Sequence, residues 1–177
     1  GDLENIPKKG PVVVVANHPH GLSDGIMFGE LLTRVREDVR ILVNEQLSLC
    51  GELDPWLIKV DVYEDENARR KNLSGMRKMI SWLRQGGVLG IFPAGTVSSF
   101  SLAHKRVTDD PWNANIAAII RMTKATVVPV YFPGRNSLLF QGISLINRKA
   151  RVAFLPREVG RDGRRTHRIV CLLYTSP

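Results

Sequence analysis

Cysteine is scarce in this chain: Cys50 and Cys171 are the only two among 177 residues. That excludes a small disulfide-stapled scaffold and fits a reducing compartment, with each residue read as a passive thiol. Long apolar runs are missing too. Val12 to Ala16 is the longest strongly apolar tract near the start, far short of the roughly 20 residues needed to span a bilayer. Nothing reads as a signal peptide. An initial methionine is absent and the chain opens almost directly into a strand, the pattern expected of a fragment. Acidic residues are depleted in one part: residues 101–177 carry 4 acidic and 13 basic side chains, residues 1–100 carry 13 and 12. A basic second part suits phosphate-bearing substrates, an anionic membrane surface or an acidic carrier protein. The blander reading is a solvated basic face. Aromatics are few, at 7%, and not interleaved with the basic residues, which argues against nucleic acid as partner.

What is present is enough for one domain with a sizeable core. Short runs rich in Val, Ile and Leu, bounded by turn residues, predict strands at 11–16, 39–43, 57–62, 88–92, 127–132 and 150–155. Helical periodicity covers 24–36, with Met27, Leu31 and Val35 on one stripe and Phe28 and Leu32 beside it. It returns at 66–85, where Leu73, Met76, Ile80 and Leu83 align and Gly86-Gly87 supplies the stop. Residues 113–124 form a third helix, opened by Asn113. Strands alternating with helices predict an α/β fold, a mostly parallel central sheet flanked by helices. Residues 1–169 read as one domain. The run Cys171-Leu172-Leu173-Tyr174-Thr175-Ser176-Pro177 breaks the pattern, so residues 170–177 are expected to be a sequencing artefact and are given no function.

The most informative stretch is Ala16-Asn17-His18-Pro19-His20-Gly21-Leu22-Ser23-Asp24. A histidine leaving a strand of an α/β sheet sits where such folds hold ligands. A carboxylate at the following helix N-terminus is favoured by the helix dipole. Folded back onto the imidazole, it would fix the tautomer, as a general base requires. The plainer alternatives are a helix cap for Asp24 and a hydrogen-bonded strand-end histidine for His18.

Two further strand exits keep this pair company. Phe92-Pro93-Ala94-Gly95-Thr96-Val97-Ser98-Ser99 offers backbone N–H groups and hydroxyls that a phosphate could accept. A loop of roughly 16 residues follows, long enough to suggest a function by loop-length priors, carrying His104, Lys105 and Arg106. The third exit, Val130-Tyr131-Phe132-Pro133-Gly134-Arg135-Asn136-Ser137, places an arginine able to grip a phosphate or carboxylate. In a parallel sheet these exits share one edge, so the three elements are expected to converge.

With these residues in order, the chain resembles the glycerolipid acyltransferases, the lysophosphatidate (1-acylglycerol-3-phosphate) acyltransferase-like superfamily. It looks most like the hemolysin-like or ornithine-lipid-type branch. The matches are Asn17 to Gly25, Phe92 to Ser98, and Val128 to Phe132 with Gly134 to Ser137; Asp110-Pro111-Trp112 and Leu139-Phe140-Gln141 also fit. Departures are visible. The superfamily's first motif has four residues between His and Asp, whereas five separate His18 from Asp24 and three separate His20 from Asp24. The branch's His-Pro-x-Gly-x-x-Asp form selects His18 as base and leaves His20 at the rim. Where the third motif usually has Glu and Arg, this chain has Ala94 and Val97, so that arginine's work would fall to Arg135 or Arg106.

The resemblance implies transfer of a fatty acyl group from acyl-CoA or acyl carrier protein, with no tightly bound cofactor and no metal. The acceptor would be a lysophospholipid, a glycerol-phosphate or a lyso-aminolipid. His18 and Asp24 would be catalytic; Gly21, Pro93, Gly95, Thr96, Ser98, Arg135 and Asn136 would bind substrate; His20, Lys105 and Arg106 are further candidates. The expected place is peripheral, at the cytoplasmic face of a membrane. Trp56, Leu57 and Ile58, or Leu138, Leu139 and Phe140, could dip into lipid, although core packing is their commoner fate. Two rival readings are a metal-dependent hydrolase built on His18-Pro19-His20 and an inactive lipid-surface-binding module. A serine hydrolase is disfavoured because no Gly-x-Ser-x-Gly elbow is present.

Overall fold

A computed structural model describes residues 2–44, 51–60, 66–147, 150–162 and 169–172. The central strand is β1 (Val12–Ala16), whose five residues are all buried. It lies between β4 (Val88–Ile91) and β7 (Thr126–Tyr131), and is parallel to both. Beyond β4 come β2 (Val39–Asn44) and β3 (Leu57–Val60), also parallel. The sheet order is β3-β2-β4-β1-β7, closed by a short strand β8 (Val170–Cys171) beside β7, so the expected mostly parallel α/β architecture is what the chain adopts. Continuous Val/Ile/Leu runs, rather than alternation, fit a sheet covered on both faces.

Alternate residues of β1 enter separate cores. Val12, Val14 and Ala16 pack with Phe28 and Leu32 of α1 (Leu22–Thr33). Val13 and Val15 face Met79 and Leu83 of α2 (Glu66–Arg84) and Ile119 of α3 (Asn115–Thr123). In α2 the buried stripe is centred on Met79 and Leu83, and Leu73, expected on it, is exposed. Gly86 takes φ +90° just past α2, the predicted stop. Side chains 66–72, and residues 61–62 of the predicted third strand, lie outside the described residues, as does Cys50.

Three expectations change. Residues 150–155, read as a strand, instead form a 3-10 turn (Ala150–Phe154) running into α5 (Leu155–Asp162). Pro156 and the buried Glu158 suit a helix's first turns. The sixth strand is β8 (Val170–Cys171), antiparallel to β7, so residues expected to lie outside the domain extend its sheet, with Cys171 buried. The long loop after β4 folds into a hairpin, β5 (Ser99–Ser101) and β6 (Arg106–Thr108). Residues 138–146, where the sequence pattern predicts no element, form α4 (Leu138–Ile146), whose N-terminus Ser137 caps by accepting the Phe140 N–H. Val97, Phe140 and Leu155 make a small third core beneath α4 and α5.

At the entry end of the sheet Arg36 gathers three turns. Its guanidinium donates to the carbonyls of Pro7 (3.2 Å), Gly10 (2.7 Å) and Gly86 (2.6 Å) and to both oxygens of Asp38. Those hydrogen bonds hold the Asp38 carboxyl below its ordinary 3.8. A carboxylate with a depressed folded pKa contributes stability above its unfolded value and loses it as pH falls through the folded one. Arg36→Ala leaves the Pro7, Gly10 and Gly86 carbonyls without their donor and should cost about 2–4 kcal/mol at neutral pH. Asp38→Asn should flatten the acid limb of the stability profile below pH 3.8. Urea denaturation across the acid range checks both.

Candidate active site

Register brings the site together. Val15 pairs with Ile91 and Ala16 with Val130, so Asn17 and His18 leave the sheet level with Phe92 and Phe132. Asn17 prolongs the ladder with its side chain. Its Nδ2 donates to the Phe132 carbonyl (2.8 Å) and its Oδ1 accepts the Phe132 N–H (2.7 Å). The exits of β1 and β7 are thus tied by two bonds after the regular pairing ends.

His18 is held on every side but one. Its Nδ1 lies 3.1 Å from Asp24 Oδ2. Its ring stacks on Phe92, centroids 4.0 Å apart. Its carbonyl accepts the Ser98 N–H (2.8 Å), and its own N–H donates to Asp109 Oδ1 (3.3 Å). The imidazole side chain is 14% exposed and Asp24 is fully buried. Asp24 Oδ2 also accepts the backbone N–H groups of His20 (2.7 Å) and Gly21 (3.1 Å). The capping role and the imidazole contact, posed above as alternatives, are both filled by one oxygen. With Nδ1–H directed at that carboxylate, the tautomer leaves the Nε2 lone pair outward.

The other expected residues divide. Gly21 is buried, at φ +69°, where a Cβ would come within 2.7 Å of Leu155 and 3.1 Å of Val97. Its place is under the turn, as a donor to Asp24. Thr96 and Ser98, expected to offer hydroxyls to a ligand, donate them to Asp110 (2.7 Å) and Asp109. Pro93 is buried, and its carbonyl accepts the Asn113 N–H (3.0 Å). Gly95 is exposed at φ +67°. His20 is buried, and its Nε2 meets the Pro133 carbonyl at 3.0 Å. Gly134, at φ +108°, lies so close that a Cβ would reach within 2.8 Å of that nitrogen. The third exit therefore rests against the first. Arg135 is exposed on it, while Asn136 is buried with an Nδ2 that has no hydrogen-bond partner among the described residues. Lys105 and Arg106 lie exposed on the β5–β6 hairpin, away from these contacts. Among the described residues no group of three or more His, Cys, Asp or Glu gathers as a metal site would need.

Asp109 was not legible as a site residue. It accepts the His18 N–H, the Ser98 hydroxyl and the Trp112 Nε1–H (3.1 Å). The one available signal was two adjacent carboxylates in a stretch otherwise poor in them.

The sequence profile of the Acyltransferase family matches residues 1–133, three-quarters of the chain and all of the β1–α1 and β4 exits. The chain belongs to the Acyltransferase family. It is similar to a lyso-glycine lipid O-acyltransferase of Bacteroides thetaiotaomicron, 29% identical over 154 residues, covering 86% of this chain and 54% of the relative. A protein of the same name from Phocaeicola vulgatus is 29% identical over 154 residues, with 52% of its length covered. The chain spans about half the length of these curated relatives. Together with the α/β sheet, this places it in the glycerolipid acyltransferase-like superfamily.

Two substitutions probe the architecture. Asp109→Ala removes the acceptor shared by three donors and should cost about 1–3 kcal/mol, read as a lower denaturation midpoint. Gly134→Ala imposes a side chain at a left-handed φ against His20, and a loss of about 1–3 kcal/mol is expected. An NMR shift of the His20 ring should accompany it.

Proposed function

We propose that this chain is the acyltransferase domain of an enzyme that moves a fatty acyl group from a thioester to the hydroxyl of a lysolipid. The observation that carries the reading is the His18–Asp24 pair, 3.1 Å apart at the exit of the central strand. It lies within the part of the chain that the family profile matches. The names of the relatives point to an O-acyl product and a lyso-aminolipid acceptor. The absence of a third-motif glutamate and arginine, replaced by Ala94 and Val97, argues against glycerol phosphate itself.

In the proposed step, His18 Nε2 takes the proton of the acceptor hydroxyl as its oxygen attacks the thioester carbonyl. The tetrahedral intermediate collapses with cleavage of the C–S bond. The imidazolium returns its proton to the departing thiolate, giving an ester and a free thiol. Asp24 holds the ring and stabilises its positive charge, as the aspartate of a serine-protease triad does. In this reading the exposed Arg135 holds a headgroup or the donor's phosphates. The donor is acyl-CoA or acyl carrier protein, and the chemistry calls for neither a metal nor a tightly held cofactor. No described helix is long and apolar enough to cross a membrane, and we assign the protein a peripheral position on the cytoplasmic face.

General-base help is worth roughly 10²–10⁴-fold. His18→Ala should lower transfer of a labelled acyl chain to lysolipid by about 10²-fold or more. Asp24→Asn should give a smaller loss, and both proteins should keep their circular dichroism. Near-parental rates in the two folded variants would overturn the assignment.

A further inference from the structure

Helix α4 is built inside out. Three of its residues are buried, Phe140, Gln141 and Ser144, and two of these are polar. The outward positions are aliphatic: Leu138 is 79% exposed, Leu139 47%, Leu145 50% and Ile146 89%. A surface helix ordinarily shows the opposite arrangement. The inversion is stabilised from within. Gln141 Oε1 accepts the Phe100 N–H of β5 (2.8 Å), and the Ser144 hydroxyl donates to the Phe140 carbonyl (2.8 Å). The same bond sets the β5–β6 hairpin against α4, and Leu102, next to β5 at the hairpin turn, is 72% exposed.

Charge around this patch has one sign. His104, Lys105 and Arg106 follow Leu102, and Arg135 precedes Leu138; all four are exposed. Between residues 96 and 161 the only acidic residues are Asp109, Asp110 and Glu158. Each of these is turned onto a hydroxyl, of Ser98, Thr96 and Ser137 respectively. Isolated exposed leucines need no explanation. A contiguous aliphatic helix face with these exposed cations beside it does. Two-fold pairing of this surface with a second copy would set the cations against themselves. An anionic lipid surface satisfies both features, since acyl chains accept the leucines and headgroups attract the fringe.

We infer that α4 and the tip of the β5–β6 hairpin dock on an anionic bilayer. The helix has nine residues, about 14 Å at 1.5 Å per residue, so it lies within the interface and does not cross it. The Arg135–Asn136 turn leads directly into the helix and rests against His20 through Gly134. Docking therefore sets the rim of the His18 site at headgroup depth. The inference deepens the acyl-transfer reading by naming the surface from which that site draws its acceptor, and it rests on that reading for this purpose.

Flotation with vesicles of phosphatidylcholine, with and without phosphatidylglycerol, tests it. The wild-type chain should float with the mixed vesicles, and Leu138→Glu/Ile146→Glu should weaken partition about tenfold or more. Lys105→Glu/Arg106→Glu should weaken it on the mixed vesicles and not on phosphatidylcholine alone. Met122→Glu, at another exposed apolar site, on α3 (58% exposed), should partition as the wild type does. His18→Ala should also float normally, so failure of the catalytic reading leaves this measurement intact. A wild-type chain that ignores vesicles, an unaffected Leu138/Ile146 variant, or an equal loss from Met122→Glu would overturn the inference.

Discussion

One carboxylate oxygen organises the site end of this molecule. Asp24 Oδ2 receives the His18 imidazole, the His20 N–H and the Gly21 N–H, and so joins a strand exit, a turn and a helix start at one atom. Its burial is complete, so water does not compete for those donors and each bond keeps its direction. Removal of that acceptor would free two buried backbone N–H groups along with the ring. The geometry of the His18–Asp24 pair and the local folding are therefore one problem here. The residue that orients the imidazole also begins the helix that packs the core.

The surrounding contacts reinforce that junction from other elements. Phe92 supplies a face for the imidazole, and Phe28 and Phe132 complete an aromatic cluster around Phe92, with centroids 5.1 and 6.2 Å from it. Asn17 binds the third exit to the first, and Asp109 brings the return of the hairpin onto the His18 backbone. The Thr96 and Ser98 hydroxyls are engaged within the protein. The groups left outward are few: the imidazole edge, the exposed turn at Gly95 and the Arg135 side chain. Such a site presents an imidazole edge, with a guanidinium on a neighbouring turn.

The sheet and its three flanking helices were legible because their signals are local. Apolar runs marked β1 to β4 and β7, and 3.6-residue spacing marked α1 to α3. The His18–Asp24 pair was legible for a related reason, since six residues of chain can hardly separate a strand exit from the next helix start. Where the signals were ambiguous the reading failed. Val152, Ala153, Phe154 and Leu155 are apolar enough for a strand, but tertiary packing of Phe154 and Leu155 under α4 turned them into a helix entry. Helix α4 was missed because its apolar residues lie on both faces, leaving no clean stripe to count. The engagement of Thr96 and Ser98 was hidden for a different reason. Which hydroxyl meets which carboxylate depends on how a hairpin returns, and no spacing encodes that.

The two ends of the sheet are held by different means. At the entry end a single guanidinium binds the segments leading into β1, β2 and β4. At the exit end several side chains each hold one loop. A change in an exit loop therefore has no direct route to the Arg36 cluster. The scaffold is modular in that sense: the loop contacts at the exit end can change while the foundation at the entry end is left as it is.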